Sequence, residues 1–291
     1  MKQYLSFTHS MKVDPLHPDY QDICAWIEVR VMAGDQPLTI RNKLSHLRVY
    51  VSLVGASTAP FRHPRVTRAV DALLKDKSYT HRQLRAIPVR HLRSVLDAIP
   101  RTITAQAVRA AILVMYHGAL RQSEVAPPSI KAMDCTRHPT RGDVTQHNRG
   151  ILITVKWAKN MQNYTQHKVV HLGRAAKTKY CVVAAIERHL QQCPTEEQLQ
   201  PLFVFEGSRR PIPVSYIRKA WISANRKARL SHLAYTLHSL RRAAATQAHL
   251  QGCDEIDIQR FGGWHSNAHR AYIKSDNSHK VNNAISKALC Q

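Results

Sequence analysis

The stretch HSLRRAAATQAHLQGCDEIDIQRFGGWHSNAHRAYIK, residues 238–274, decides how this chain is read. It opens on a helix-forming run in which His238 and Arg241, three positions apart, share one face. The run AAATQAHL continues on strong helix formers, and Gly252 stands where a C-terminal cap belongs. Asp254 is placed to cap a second, shorter helix with Ile256, Ile258 and Phe261 turned inward, closed by Gly262-Gly263. Trp264, His265 and a capping Ser266 then lead into an amphipathic turn that holds Tyr272. A His, an Arg pair, a Trp and a Tyr gathered in one stretch of a basic chain are the groups a phosphate-handling site needs.

The whole chain has 291 residues, 44% of them hydrophobic, and a formal net charge of +24. That length and apolar content suffice for two packed domains. The charge calls for a polyanionic partner, and nucleic acid fits better than an acidic membrane, because no polybasic block flanks an apolar segment. No run of ~18 apolar residues suggests a membrane span, and MKQYLSFTHS lacks the apolar core of a signal peptide. The six cysteines are scattered and form no CxxC pair, which reads as reduced thiols of an intracellular protein. No HExxH or zinc-spaced Cys/His set occurs; His167 and His171 are four apart but lie in a strand pattern, so neither metal nor cofactor is expected.

Residues 1–17 are polar and read as an extended arm. Apolar positions at helical spacing then mark helices with Ile23, Trp26, Ile27 and Val31 inward, with Ile40, Leu44, Leu47, Val51 and Val54 inward, and with Val66, Val70, Leu73 and Leu74 inward after Pro64. Residues 18–76 are thus a small all-α domain. Arg41, Lys43 and Arg48 ride on or beside the second helix's outer face; singly each reads as solvated surface, but together they read as a track for phosphates. A charged, unpatterned segment, 77–87, is the expected linker to a second domain, 88–291. There Pro88 opens one helix and Thr104 is placed to cap the next, which delivers Arg121. ILITVKWA and HKVVHL read as two β-strands, Thr178 as the cap of a further helix, and 214–229 as a basic helix with Ile217, Trp221 and Ile222 inward. A terminal helix at 278–291 carries Val281, Ile285 and Leu289. The fold class is mainly α with a small β-hairpin or sheet.

HxxR at His238–Arg241, the Gly-Trp-His segment at 263–265, Tyr272, and GALRQSE with Arg121, Ser123 and Glu124 together resemble the tyrosine recombinases, the phage-integrase family. The likeness spans about residues 85–291, with a weaker one before. Trp264 stands eight residues before Tyr272, one fewer than the family's usual spacing, and this resembles recombinases of crypton and DIRS mobile elements.

The resemblance implies an N-terminal core-binding domain followed by an α+β catalytic domain, together clamping double-stranded DNA. It also implies transesterification without cofactor or metal, in which Tyr272 attacks phosphorus and leaves a 3′-phosphotyrosyl bond. Arg121 and Arg241 would grip the non-bridging oxygens. Glu124 would hold Arg121, and His238 would bind the phosphate or take the phenol proton. Trp264, or His265 in its place, would contact the phosphate or pack the tyrosine segment. A lysine near the hairpin turn would protonate the leaving oxygen; Lys159 is preferred over Lys156 and Lys168. Four protomers on two duplexes, with the terminal helix docked on a neighbour, belong to the same expectation. So does a nuclear location for a eukaryotic element, or a nucleoid or cytoplasmic one otherwise. Two alternatives stay open: a type IB topoisomerase-like relaxing enzyme, and a DNA-binding protein that kept the fold without catalysis.

Overall fold

A computed structural model of the chain describes residues 1–76, 85–158, 167–175 and 178–264, and the chain divides into two compact units, Met1–Gln83 and Leu84–Gln291.

The first unit is helical. Residues 1–17, expected as an extended arm, instead carry helix α1 (Lys2–Met11). Tyr4, Phe7 and Thr8 fall at i, i+3 and i+4, so the helix has one face to bury, and Tyr4 meets Trp26 edge to face at 5.9 Å. Helix α2 (Tyr20–Met32) starts on a capping box, in which Asp19 accepts from the Gln21 and Asp22 amides while Asp22 accepts from the Asp19 amide. Pro37 and Pro64 occupy the first positions of α3 (Pro37–Leu53) and α4 (Pro64–Lys75), where a missing N–H costs nothing. Ile23, Trp26, Ile27, Ile40, Leu44, Leu47, Val51, Phe61 and Val66 form the core with α1's aromatics. Val54, expected inward, lies past the end of α3 and is exposed.

The second unit is built around a helix that is buried on every side over most of its length. After α5 (Val89–Asp97), helix α6 (Ile103–His117) buries every residue from Ala107 to its end, as a central helix must. Its cap is Thr102, whose Oγ1 accepts from the Ala105 amide; Thr104 accepts instead from the Glu206 amide. Ile87, assigned above to the linker, is buried in this core, so the second unit begins earlier than 88; residues 77–84 lie outside the described segments.

Three antiparallel strands follow in the order β1 (Val144–His147), β2 (Gly150–Val155), β3 (Lys168–Gly173). The last two are the expected hairpin. β1 is an additional edge strand, exposed at all but its first residue and therefore without apolar alternation to betray it. Helices α7 (Val182–Gln192), α8 (Val214–Lys227), α9 (His238–Leu250) and α10 (Glu255–Gly262) follow among the described residues. The cap of α7 is Cys181, not Thr178. In α8, Ile217 and Trp221 are buried but Ile222 is exposed, one step round the helix from the core-facing stripe. No described helix is long and apolar enough to cross a membrane.

Candidate active site

Helices α6 and α9 and the end of α10 meet at Arg241. The α9 helix begins at His238, so Arg241 sits in its first turn with its side chain directed into the unit. Only 1% of that side chain is exposed. An uncompensated guanidinium there would be prohibitive, and the surroundings supply acceptors in every direction. Nη1 donates to the Ala119 carbonyl, and Nη2 donates to the Gly262 carbonyl at 2.7 Å. Glu124 Oε2 lies 4.0 Å from Nη1. Ala119 adopts the left-handed region at φ 47°, just past the end of α6, which turns the chain toward Arg121.

Arg121 lies at the start of a short 3-10 turn, Gln122–Glu124. Glu124 binds it twice: Oε1 accepts from the guanidinium at 2.6 Å, and Oε2 accepts from the Arg121 amide at 2.8 Å. The Glu124 side chain is 2% exposed while that of Arg121 remains partly open. One buried carboxylate thus orients the accessible arginine and faces the inaccessible one, as the sequence suggested for Glu124.

The Gly-Gly-Trp segment completes the arrangement. Gly263 is left-handed (φ 66°) and caps α10; its amide donates to the Arg260 carbonyl, and the Trp264 amide donates to Gln259, both at 3.0 Å. This Schellman turn folds the chain back so that the Trp264 ring passes over Gly262. A Cβ at Gly262 would lie 1.7 Å from Trp264 Cζ3, so only glycine fits there. The ring comes to rest on Arg241, its centroid 4.1 Å from the guanidinium carbon, and is buried. The ring contact described for Trp264 is with the arginine; the tyrosine segment that it was expected to pack lies outside the described residues.

His238 keeps an exposed surface, yet crowding by protein atoms, reinforced by Arg242, Arg241 and Arg121, pushes its pKa down to about 4. It is neutral at physiological pH and so able to accept a proton or donate a hydrogen bond from one nitrogen.

The lysines divide differently from expectation. Lys156 faces the outer side of the sheet and pairs with Asp143 at 2.6 Å. Lys168, passed over in favour of Lys159, is the one that reaches the arginines: its Nζ is buried and lies over the Phe261 ring at 5.6 Å. Burial, helped by Arg241 and Arg121 and opposed by Glu124, lowers its pKa to about 8. The signal was present in the strand alternation, since Lys168 shares the inward face of β3 with Val170 and Leu172. The preferred Lys159 lies outside the described residues, as do His265, Tyr272 and the expected helix at 278–291.

One α10 position departs from the expected inward set: Ile258 is buried and Phe261 partly so, but Ile256 is exposed, because an eight-residue helix has only one face to give. In the first unit, Arg41 and Arg48 are exposed on α3. Lys43 is engaged locally, with Asp35 at 2.6 Å and Gln3 at 2.7 Å.

Residues 86–279 match the model of the phage integrase family. The fold resembles that of the Tn1549 transposon integrase in complex with transposon right end DNA, at TM-score 0.64 and 15% identity, covering 91% of this chain and 83% of that one. It also resembles XerH site-specific recombinase bound to a palindromic difH substrate (TM-score 0.56, 16% identity, 88% and 68% covered). A lambda integrase fragment, a dimer bound to a COC′ core site, matches at TM-score 0.54 and 12% identity, with 96% and 90% covered. No curated protein sequence matched.

Proposed function

The chain belongs to the phage integrase family of tyrosine recombinases, and on that premise we propose that it is a site-specific DNA recombinase of a mobile element, cleaving and rejoining double-stranded DNA through Tyr272. The observation that carries this reading is the Arg121–Glu124–Arg241 cluster: one buried carboxylate holds the accessible Arg121 and lies 4.0 Å from the buried Arg241.

The scissile phosphodiester binds at the open side of Arg121, within the field of the buried Arg241 behind it. The guanidiniums complement its non-bridging oxygens, whose charge grows in the pentacoordinate transition state. The Tyr272 oxygen attacks in line, the 5′-oxygen departs, and the strand is held as a 3′-phosphotyrosyl ester. The ester conserves the energy of the broken bond, so reversal with a different 5′-hydroxyl joins new strands. His238, neutral at its position, takes the phenol proton. The Trp264 ring screens the buried Arg241 from water and fixes its plane.

The net charge of +24 and the exposed Arg41 and Arg48 support duplex binding. The lambda integrase fragment bound as a dimer supports assembly of several copies on DNA, and the Tn1549 integrase supports a mobile-element source. The short Trp264–Tyr272 spacing supports the crypton or DIRS type, and with it a nuclear location. The test is a suicide substrate carrying a nick beside the cleavage position, tried across candidate element ends. Wild-type protein should give an SDS-resistant protein–DNA adduct. Tyr272→Phe should bind the same DNA and give none; an adduct that persists in that variant would overturn the assignment.

A further inference from the structure

A concavity of about 490 Å³ opens in the second unit between the end of α5, the first half of α6 and the later turns of α7. Arg101, Arg109, Lys179 and Arg188 line it together with Gln106, and Asp97 is its one acid. Its lining shares no residue with the Arg121–Glu124–Arg241 cluster, and roughly 12 Å of helix separates Arg109 from His117 at the end of α6. Arg109 is the fixed part. It is 8% exposed, and its guanidinium donates to the carbonyls of Leu96 and, at 3.0 Å, of Lys179, tying α5 and the segment before α7 to the central helix. Both acceptors are neutral, so they satisfy N–H groups and leave the charge standing. Asp97 is already committed, because its Oδ2 accepts from Lys179 Nζ and from the Tyr180 hydroxyl, both at 2.9 Å. Arg101 and Arg188 are exposed and have no ion-pair partner among the described residues. Burial pulls the pKa of Arg109 down; Asp97 and Tyr180 oppose the fall, and Arg188 adds to it by repulsion. Four cations thus face one carboxylate, a local excess of three charges.

We infer that this concavity is a second anion site, shaped for a compact polyphosphate group carrying three or more negative charges. Like charges gathered in a concave site with low-dielectric walls focus their field, and an anion that neutralises them is favoured. Guanidinium forks match phosphate oxygens in pairs, and the Lys179 ammonium keeps further donors after Asp97 has taken one. The volume falls within the range of small-molecule sites, ~300–1,000 Å³. A duplex presents its phosphates on a convex ridge, which meets an open basic face more readily than a recess walled by a buried arginine. A discrete ligand is therefore the better fit, either free polyphosphate or the phosphate tail of a nucleotide. Bound there, it bridges α5, α6 and α7 and braces the helix that carries the chain to Arg121. The inference stands apart from the chemistry assigned to Tyr272.

The probe is inorganic triphosphate, titrated calorimetrically into the full chain at about 0.15 M salt. Saturating duplex DNA is present throughout, so that the rest of a +24 surface is occupied. One saturable site should appear, with a rise in Tm that sulfate at equal ionic strength does not give. Arg101→Gln and Arg188→Gln together change two exposed side chains and should weaken the site ~10²-fold or more. Arg41→Gln with Arg48→Gln, in the first unit, should leave it within about twofold. Adenosine triphosphate in place of the inorganic probe separates the sources: equal affinity assigns the site to phosphates alone, and tighter binding assigns it to a nucleotide. Tm without ligand checks the folding of each variant. The inference is overturned if triphosphate shows no saturable site while duplex is bound, or if the Arg101/Arg188 double variant binds it as wild type does. It is overturned equally if that double variant lowers the salt slope of duplex binding by about 2, since the recess would then belong to the DNA track. A failure of Tyr272 to form an adduct leaves every arm of this test intact.

Discussion

Replacing Gly262 by alanine should uncouple the arginine cage from its cover. The added Cβ would sit 1.7 Å from Cζ3, 2.1 Å from Cε3 and 2.4 Å from Cη2 of Trp264. Carbon atoms rest at about 3.5–4.0 Å, so the indole must retreat by ~2 Å. The Gly262 carbonyl that holds Arg241 Nη2 at 2.7 Å is in the same residue, so the two contacts cannot adjust independently. Overpacking of this kind costs about 1–3 kcal/mol, and loss of the ring–guanidinium contact about 0.5–2 kcal/mol more. Replacing glycine at the end of α10 offsets up to about 1 kcal/mol. The net, ~0.5–5 kcal/mol, corresponds to a fall in Tm of roughly 1–20 °C for a unit of this size. The chemistry should suffer more, because a displacement of about 1 Å in a catalytic group can cost 10²-fold. Adduct formation should therefore drop on the order of 10²-fold while affinity for DNA, spread over many phosphates, changes little. Trp264→Ala in the Gly262→Ala background removes the clashing ring, so the double variant should be no less stable than Trp264→Ala alone. A Gly262→Ala protein that melts and cleaves like wild type would refute the reasoning.

In the first unit, Arg41→Ala and Arg48→Ala should each lower the slope of log binding constant against log salt by about 1. Lys43→Ala should leave that slope closer to wild type and mainly destabilise the unit, since its ammonium is already engaged by Asp35; an equal slope change for all three would remove the distinction. Acidification should loosen the second unit. His117 and His189 are buried and have pKa values of about 4, set first by burial and, for His189, also by Arg141. A histidine whose folded pKa lies below the unfolded value of about 6.5 binds fewer protons when folded. Stability is then intact above that value and falls as pH drops from about 6.5 toward 4, by up to about 3 kcal/mol per residue. Urea melts at pH 7.5 and 5 would measure this, and coincident midpoints would contradict it.

Much of this architecture was legible because it follows from period and punctuation. Pro64 and the apolar stripes of α2 and α3 sit where the chain's pattern put them. The misses have specific physical causes. Tyr4 and Phe7 are two aromatics in a polar decapeptide, too few to raise its mean hydropathy, yet enough to anchor α1 against Trp26. Edge strand β1 buries little and so leaves no alternation to read. In the site, the pairing of Arg121 with Glu124 could be read from local spacing, because three residues on a tight turn nearly touch. The bonds from Arg241 to Ala119 and Gly262 join distant parts of the chain and needed the fold. Lys168 was readable from the inward positions of Val170 and Leu172, but a charged residue on a core face runs against the usual burial rule.

The indole stacked on Arg241 also acts as a mooring. Tyr272 follows it by eight residues, a leash that even fully drawn out spans no more than about 29 Å. A phenol confined to that radius has a local concentration at the guanidiniums on the order of millimolar or above, however dilute the protein. The aromatic clasp that steadies one reactant therefore rations the supply of the other.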